Sequence, residues 1–333
     1  GSSALGTQNF TTATDTFNVA VGYEAGAAVT TGVENTFIGG LAGDALNTGN
    51  VNVALGARAL GLDTKGNHST ALGYAALDAQ NFTTATDTYN VAVGSNAGLS
   101  VTTGVRNTLI GGLAGDAFTD ADYNVAVGYA ALSQDTLGSK STALGYNALN
   151  TQNFTTATDT YNVAVGMSAG EAVTTGTQNT LIGGLAGDAL TDADFNVAIG
   201  YLALSGDTLG SKSVAIGQTA LRVQNFTTAT EVFNTAVGHS AGTAVTTGIQ
   251  NTLIGGLAGD ALTDADFNVA IGYSALGADT LGSKSVAVGH NNLRTQNFTT
   301  ATNSFNTAIG HGAGLSVTTG INNTLIGGLA GDA

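Results

Sequence analysis

Asn18-Val19-Ala20-Val21-Gly22 reads N-V-A-V-G, and the same phrase, or a close variant, returns at Asn90, Asn162, Asn234 and Asn306, in a constant 72-residue step. Weaker copies lie inside each interval. Starting from Asn18 they begin at Asn35, Asn52 and Ser69, in equal 17-residue steps, and the step from Ser69 to Asn90 is 21. The chain is therefore a string of 17-residue units with a four-residue insertion in every fourth. Its 72-residue blocks run 18–89, 90–161, 162–233 and 234–305, with partial blocks at 1–17 and 306–333. A fixed short period is the mark of a repeat architecture, in which each unit buries its apolar face on its neighbours.

Within a unit the fourth position is always Val, Ile or Leu, as in Val21, Ile38, Leu55 and Leu72. Gly follows it every time (Gly22, Gly39, Gly56, Gly73), and Ala stands three places later with one exception, Asn292. The alternation predicts a strand with Val19 and Val21 on one face and Asn18 and Ala20 on the other. A second extended piece, such as Ala28–Gly32 (A-V-T-T-G), fits the return run. The Gly supplies the positive φ of a sharp corner. Stacked coils place each strand beside its copy, parallel and about 4.8 Å away. The absence of Pro agrees with a stack that needs every N–H. The expected fold is all-β, a parallel β-solenoid or β-roll. It forms one continuous rod over 1–333, about 90 Å long at that rise, and reads as a segment of a longer fibre.

The eleven residues N-T-L-I-G-G-L-A-G-D-A at 107–117, 179–189, 251–261 and 323–333 mark the odd coil in each group of four. Its third position carries Phe37, Leu109, Leu181, Leu253 or Leu325 in place of Ala. A second Gly follows the corner (Gly40, Gly112, Gly184, Gly256, Gly328). The bulk is expected to be matched by backbone freedom at that second Gly.

Composition sets further bounds. Against 23 acids stand 8 Lys and Arg, a net charge of −15, which disfavours nucleic acid and anionic membrane surfaces. No apolar run approaches the length of a membrane span, so no membrane insertion is expected. Without Cys there are no disulfides or thiolate zinc sites. A Val/Ile column facing an Ala/Asn/Gly face makes a thin interior, and thin cores need oligomerisation or another staple. The flat small-residue face is the expected contact for another chain.

The stretches N-V-A-I-G at 196–200 and 268–272 and S-V-A-I-G at 213–217, each with Ala three residues after the Gly, resemble the head repeats of YadA-like trimeric autotransporter adhesins. Similar repeats are found in bacteriophage tail fibres. The likeness runs through eighteen copies. It implies a homotrimer of left-handed parallel β-rolls, an extracellular fibre on a cell or virion surface that binds a host-cell surface, matrix protein or glycan. The chain departs from that family in its 17-residue coils and in the regular 21-residue coil.

Candidate binding residues sit in the insertions, which carry Q-N-F-T-T-A-T-D-T or variants at 8–16, 80–88, 152–160, 224–232 and 296–304. Each offers one aromatic: Phe10, Phe82, Phe154, Phe226, Phe298. The rings either fold back over the coil below or stand exposed as an array that stacks on receptor sugars. A second aromatic series (Phe17, Tyr89, Tyr123, Tyr161, Phe195) is read as packing. Acidic triplets recur as Asp116, Asp120, Asp122, then Asp188, Asp192, Asp194, then Asp260, Asp264, Asp266. They are candidate Ca²⁺ ligands, weighed against solvated, capped turns; Lys140, Lys212 and Lys284 follow one coil later. No other cofactor is expected. His239 and His311 share a coil position but lie four coils apart, too far for one metal, and the four His are read as structural. No motif of an activated nucleophile, zinc protease or P-loop occurs, and every acid cluster is copied, which argues against an enzyme. The alternative to an adhesive fibre is a monomeric ice-binding or calcium-binding solenoid, suggested by V-T-T-G at 29–32, 101–104 and 173–176.

Overall fold

In a computed structural model, which describes residues 1–332, the chain is all-β with no helix. It divides into two compact units, Gly1–Asn162 and Val163–Ala333, each a parallel β-solenoid. Among the described residues the first unit stacks eight three-residue strands, from Val19–Val21 and Thr36–Ile38 up to Thr142–Leu144. The second stacks ten, from Val163–Val165 to Thr324–Ile326. Register follows the repeat. Val19 pairs with Thr36, one short coil on, and Thr70 pairs with Val91, one long coil on, across an insertion.

Alternation holds, but the faces are the reverse of the expected ones. Ala54, Ala92 and Ala126 are fully buried, as are Asn52, Asn90 and Asn124. Val19, Val21, Val53 and Leu55 point outward and are exposed. The interior is filled from elsewhere in the coil by Ala25, Val29, Leu46, Leu60 and Leu77, all fully buried. With those side chains reaching inward, most coils carry Ala and a hydrogen-bonding amide beneath the strand, and every fourth carries Phe37 or a Leu such as Leu109 in place of the Ala.

The buried Asn makes the stack polar without leaving groups unpaired. Asn52 N–H donates to Asn35 Oδ1 at 2.9 Å, one coil below, and its Nδ2 donates to Gly66 O at 2.8 Å on the return run of its own coil. The same pair of bonds recurs at Asn107 and Asn124. A buried amide so satisfied costs little, and losing a partner is expensive. Asn292, the exception at the Ala position, is also buried. It donates to Val288 O and Ala308 O and accepts from Ala313 N–H.

The corner Gly has φ near +140°, and a Cβ on Gly128 would sit 2.3 Å from Gly145 O of the next coil. The second Gly of the odd coil behaves otherwise than expected. Gly112 is not among the positive-φ residues, and its space lies against the Tyr129 ring. Room for buried Leu109 comes from Gly98 and Gly115, where a Cβ would fall 2.7 and 2.8 Å from its methyls. Other coils place Leu60, Leu77 or Leu132 there. One large side chain is thus exchanged for another across the core.

The return run is less regular than predicted. Ala28–Gly32 forms no strand. Among the described residues two-residue strands occur only beside insertions, as where Gly66–Asn67 pairs with Thr86–Asp87.

Candidate functional site

The four extra residues of the insertion loops at 80–88, 152–160, 224–232 and 296–304 are held by a buried polar cluster. Asp63 is fully buried; its Oδ1 accepts from Gly66 N–H at 3.1 Å and Phe82 N–H at 3.2 Å, and its Oδ2 accepts from Gln80 Nε2 at 2.6 Å. Gln80 also donates to Ser69 Oγ at 2.8 Å and accepts from Asn90 Nδ2 at 2.9 Å. Ser69 stands where other coils have Asn, and its small side chain leaves room for Gln80. The cluster recurs around Asp135, Asp207 and Asp279. Burial pushes the carboxyls of Asp63 and Asp279 above the usual range, against the pull of Gln80 and Gln296 and of backbone N–H donors. The cluster's signals were legible, Ser69, Ser141, Ser213 and Ser285 breaking the Asn column and Gln recurring eleven residues later, but only the folded coil shows their use.

This anchoring decides where the loop aromatics go. Phe82, Phe154 and Phe298 are 6% exposed and Phe226 is 7% exposed, while Phe10 is half-buried. The rings fold back over the coil, so the exposed stacking array is not formed. The reading of the second aromatic series as packing is also corrected. Phe17, Tyr89, Tyr123, Tyr161 and Phe195 are exposed, and each has positive φ. They stand at one margin of the outward strand face, interleaved with cations. The Arg106 guanidinium lies 5.3 Å from the Tyr123 centroid, Lys140 Nζ lies 5.2 Å from that of Tyr161, and Lys284 stands over both Phe267 and Phe305. In these pairs the cation lies over a face of the ring.

The acidic triplets are not brought together. Asp122, Asp194 and Asp266 accept backbone N–H bonds from Val105, Thr177 and Ile249 one coil below, at 2.7–2.8 Å. Asp120, Asp192 and Asp264 accept from the hydroxyls of Thr103, Thr175 and Thr247. Asp116, Asp188 and Asp260 sit apart, with carboxyls pushed up by burial. Among the described residues no group of three or more His, Asp or Glu is placed to hold a metal ion, so the proposed calcium ligands form no such site. Nor do the lysines answer these acids. Lys140 pairs with Asp159 at 2.5 Å and Lys212 with Glu231, both in insertion strands.

One pairing escaped the sequence reading. His290 and His311 are separated by a single insertion coil, and their rings stack at 5.1 Å and 6°, above Tyr273. Counting in whole blocks hides that neighbour.

The outward strand face carries exposed apolar side chains. In the first unit it carries Val19, Val53, Val91 and Val125 alternating with Thr36, Thr70, Thr108 and Thr142, and beside them Val21, Ile38, Leu55, Leu72, Val93, Ile110, Val127 and Leu144. Tyr23, Tyr74, Tyr129 and Tyr146 stand along its other margin, Tyr129 and Tyr146 stacked at 5.8 Å. No family model matches the chain, and no curated protein sequence matches it.

Proposed function

We propose that this chain is a self-associating structural segment of an extracellular fibre, a homotrimer that carries a host- or matrix-binding surface outside a bacterium or virion. The observation that carries the reading is the continuous outward ladder of Val, Ile and Leu. Contiguous exposed apolar surface of this kind marks contact with another protein, and a second copy offers the same flat strip in the same register. The head-repeat resemblance supplies the trimer and the adhesive setting. The contact surface is the Val/Ile face, and the Ala/Asn face is the core of each coil.

Light scattering on residues 1–333 tests it. A trimer has three times the chain mass of 32.8 kDa. Val125→Lys with Val127→Lys should reduce the mass to that of one chain with an unchanged β circular dichroism spectrum, because both side chains leave the coil interior untouched. A wild-type monomer would sink the reading. Thr36, Thr70, Thr108 and Thr142 in the outward column favour a second reading, an ice-binding face, since Thr and Val are similar in shape and keep the strip flat. A wild-type monomer with thermal hysteresis above a buffer control would select it.

A further inference from the structure

Seven residues are the same in all five insertions: Gln-Asn-Phe-Thr-Thr-Ala-Thr at 8–14, 80–86, 152–158, 224–230 and 296–302. Packing accounts for two of them, since Gln80 belongs to the buried cluster and Phe82 covers the coil. It does not account for Asn81 or Thr83, which are both exposed. The Asn81 amide meets the protein side chains at one end, with Thr64 Oγ1 3.1 Å from Oδ1; Asn153, Asn225 and Asn297 meet Thr136, Thr208 and Thr280 in the same way. Among the described residues Nδ2 of these four has no partner, and neither does the hydroxyl of Thr83, Thr155, Thr227 or Thr299.

Shared ancestry of the blocks does not explain this identity, because other exposed positions of the same blocks have diverged. One reads Tyr23, Ser95, Met167, His239, His311; another reads Glu34, Arg106, Gln178, Gln250, Asn322. Asn-Phe-Thr is the acceptor pattern for N-linked sugar, Asn-x-Thr with x other than Pro, and it belongs on a surface loop. The buried ladder asparagines are kept out of the pattern. Asn52, Asn90 and Asn124 are followed two residues on by Ala, and Asn107, Asn179 and Asn251 by Leu. Two further matches occur once each: Asn67, whose Ser69 hydroxyl is consumed by the buried cluster, and Asn322.

We propose that Asn9, Asn81, Asn153, Asn225 and Asn297 are N-glycosylation acceptors, one in each insertion loop. The donor is a sugar diphosphate. Asn Nδ2 attacks its anomeric carbon, the C–O bond to the diphosphate breaks as the C–N bond forms, the diphosphate leaves, and Nδ2 gives up one proton to a base. Neither partner changes oxidation state. The buried Phe pins the loop while its Asn and Thr stay in solvent. The loops lie on the return run, not on the Val/Ile strand, so a sugar at each leaves that face uncovered. The inference does not depend on the fibre reading.

The test is peptide mapping by mass spectrometry of the protein isolated from the cells that make it. In parallel, the folded chain is treated with an N-glycosyltransferase and its nucleotide sugar. Sugar at the five loop asparagines, with none on Asn52, Asn90, Asn107 or Asn124, is expected in both arms. Thr83→Ala should remove it from Asn81 alone, since Thr83 makes no side-chain contact the fold needs. Loop asparagines bare in the native protein, sugar on the loop threonines instead, or transfer only to the unfolded chain would each overturn the assignment.

Discussion

Gly128 shows how little freedom a stacked coil leaves at one residue. Its φ is +140°, and the carbonyl of Gly145 occupies the place a Cβ would take, 2.3 Å away. Both backbones are tied to the coil below, Gly128 N–H to Ile110 O at 2.7 Å and Gly145 N–H to Val127 O at 2.8 Å, so neither retreats freely. Gly128→Ala should therefore lower stability by about 2–4 kcal/mol, the range for strain at a special φ combined with overpacking, measured by denaturant unfolding. Gly112→Ala, beside the Tyr129 ring and outside the positive-φ set, should cost much less; equal losses would contradict this account of the corner. The carboxylates make a second prediction at this scale. Asp63, Asp279, Asp116, Asp188 and Asp260 all have pKa values raised, first by burial. A raised folded-state pKa means the folded chain binds more protons than the unfolded one between the two values. Stability is then highest below the ordinary Asp range near 4 and is lost as pH rises through the folded values. Relief of the −15 net charge acts in the same direction. The melting temperature should be higher at mildly acid pH than at neutral pH, with a smaller difference in Asp279→Asn. A melting temperature that climbs steadily from acid to neutral would refute it.

At the scale of the coil, the four-residue insertion works because Gln152 takes the place an Asn would have held. Gln152 Nε2 donates to Asp135 Oδ2 at 2.5 Å and to Ser141 Oγ at 3.1 Å, and its Oε1 accepts from Asn162 Nδ2 at 2.9 Å. Gln152→Ala strips partners from a fully buried carboxylate, a hydroxyl and an amide and leaves a cavity. A loss of about 2–4 kcal/mol follows from unsatisfied buried groups, and exposure of Phe154 should make this loop the first site of proteolysis. Gln134→Ala, an exposed Gln of the preceding coil, is the control and should be near neutral. This element also shows what the sequence made legible. Period, parallel register, corner Gly and insertion were all readable, because identical residues at equal steps leave one stacking. Facing was not. Alternation says that Val and Asn lie on opposite sides, and ordinary hydrophobic patterning then sends Val inward. It goes outward because the interior is filled from the turn by Leu60, Leu77 and Val29, and because a laddered Asn is fully satisfied in the core. Nor did sequence mark Tyr89, Tyr123 or Phe195 as left-handed, a conformation bulky residues seldom adopt.

Over the whole molecule, stability in each unit is a sum over neighbouring coils, so length should be adjustable as long as register is kept. Removing residues 214–285 joins Ser213 to Val286, and Ser213 and Ser285 hold the same place in their blocks. The 72-residue deletion leaves every inward Ala, laddered Asn and corner Gly above its former kind. A deletion one residue shorter, 215–285, leaves Val214 before Val286. From there on Val286 falls into the register position of an inward Ala, Ala287 moves to the outward face and Val288 falls at the corner Gly, because the side-chain period along a strand is two. Gly289 no longer meets the corner below it, and its neighbour there is left without the space that only Gly provides. The 72-residue deletion should melt cooperatively with a β spectrum like that of the full chain. The 71-residue deletion should show a lower-melting or molten fraction equal to the coils beyond the junction. If both deletions melt alike, coil-to-coil register is not what holds this protein together. If only the shorter one fails, the 72-residue block is the physical unit by which the chain can be lengthened.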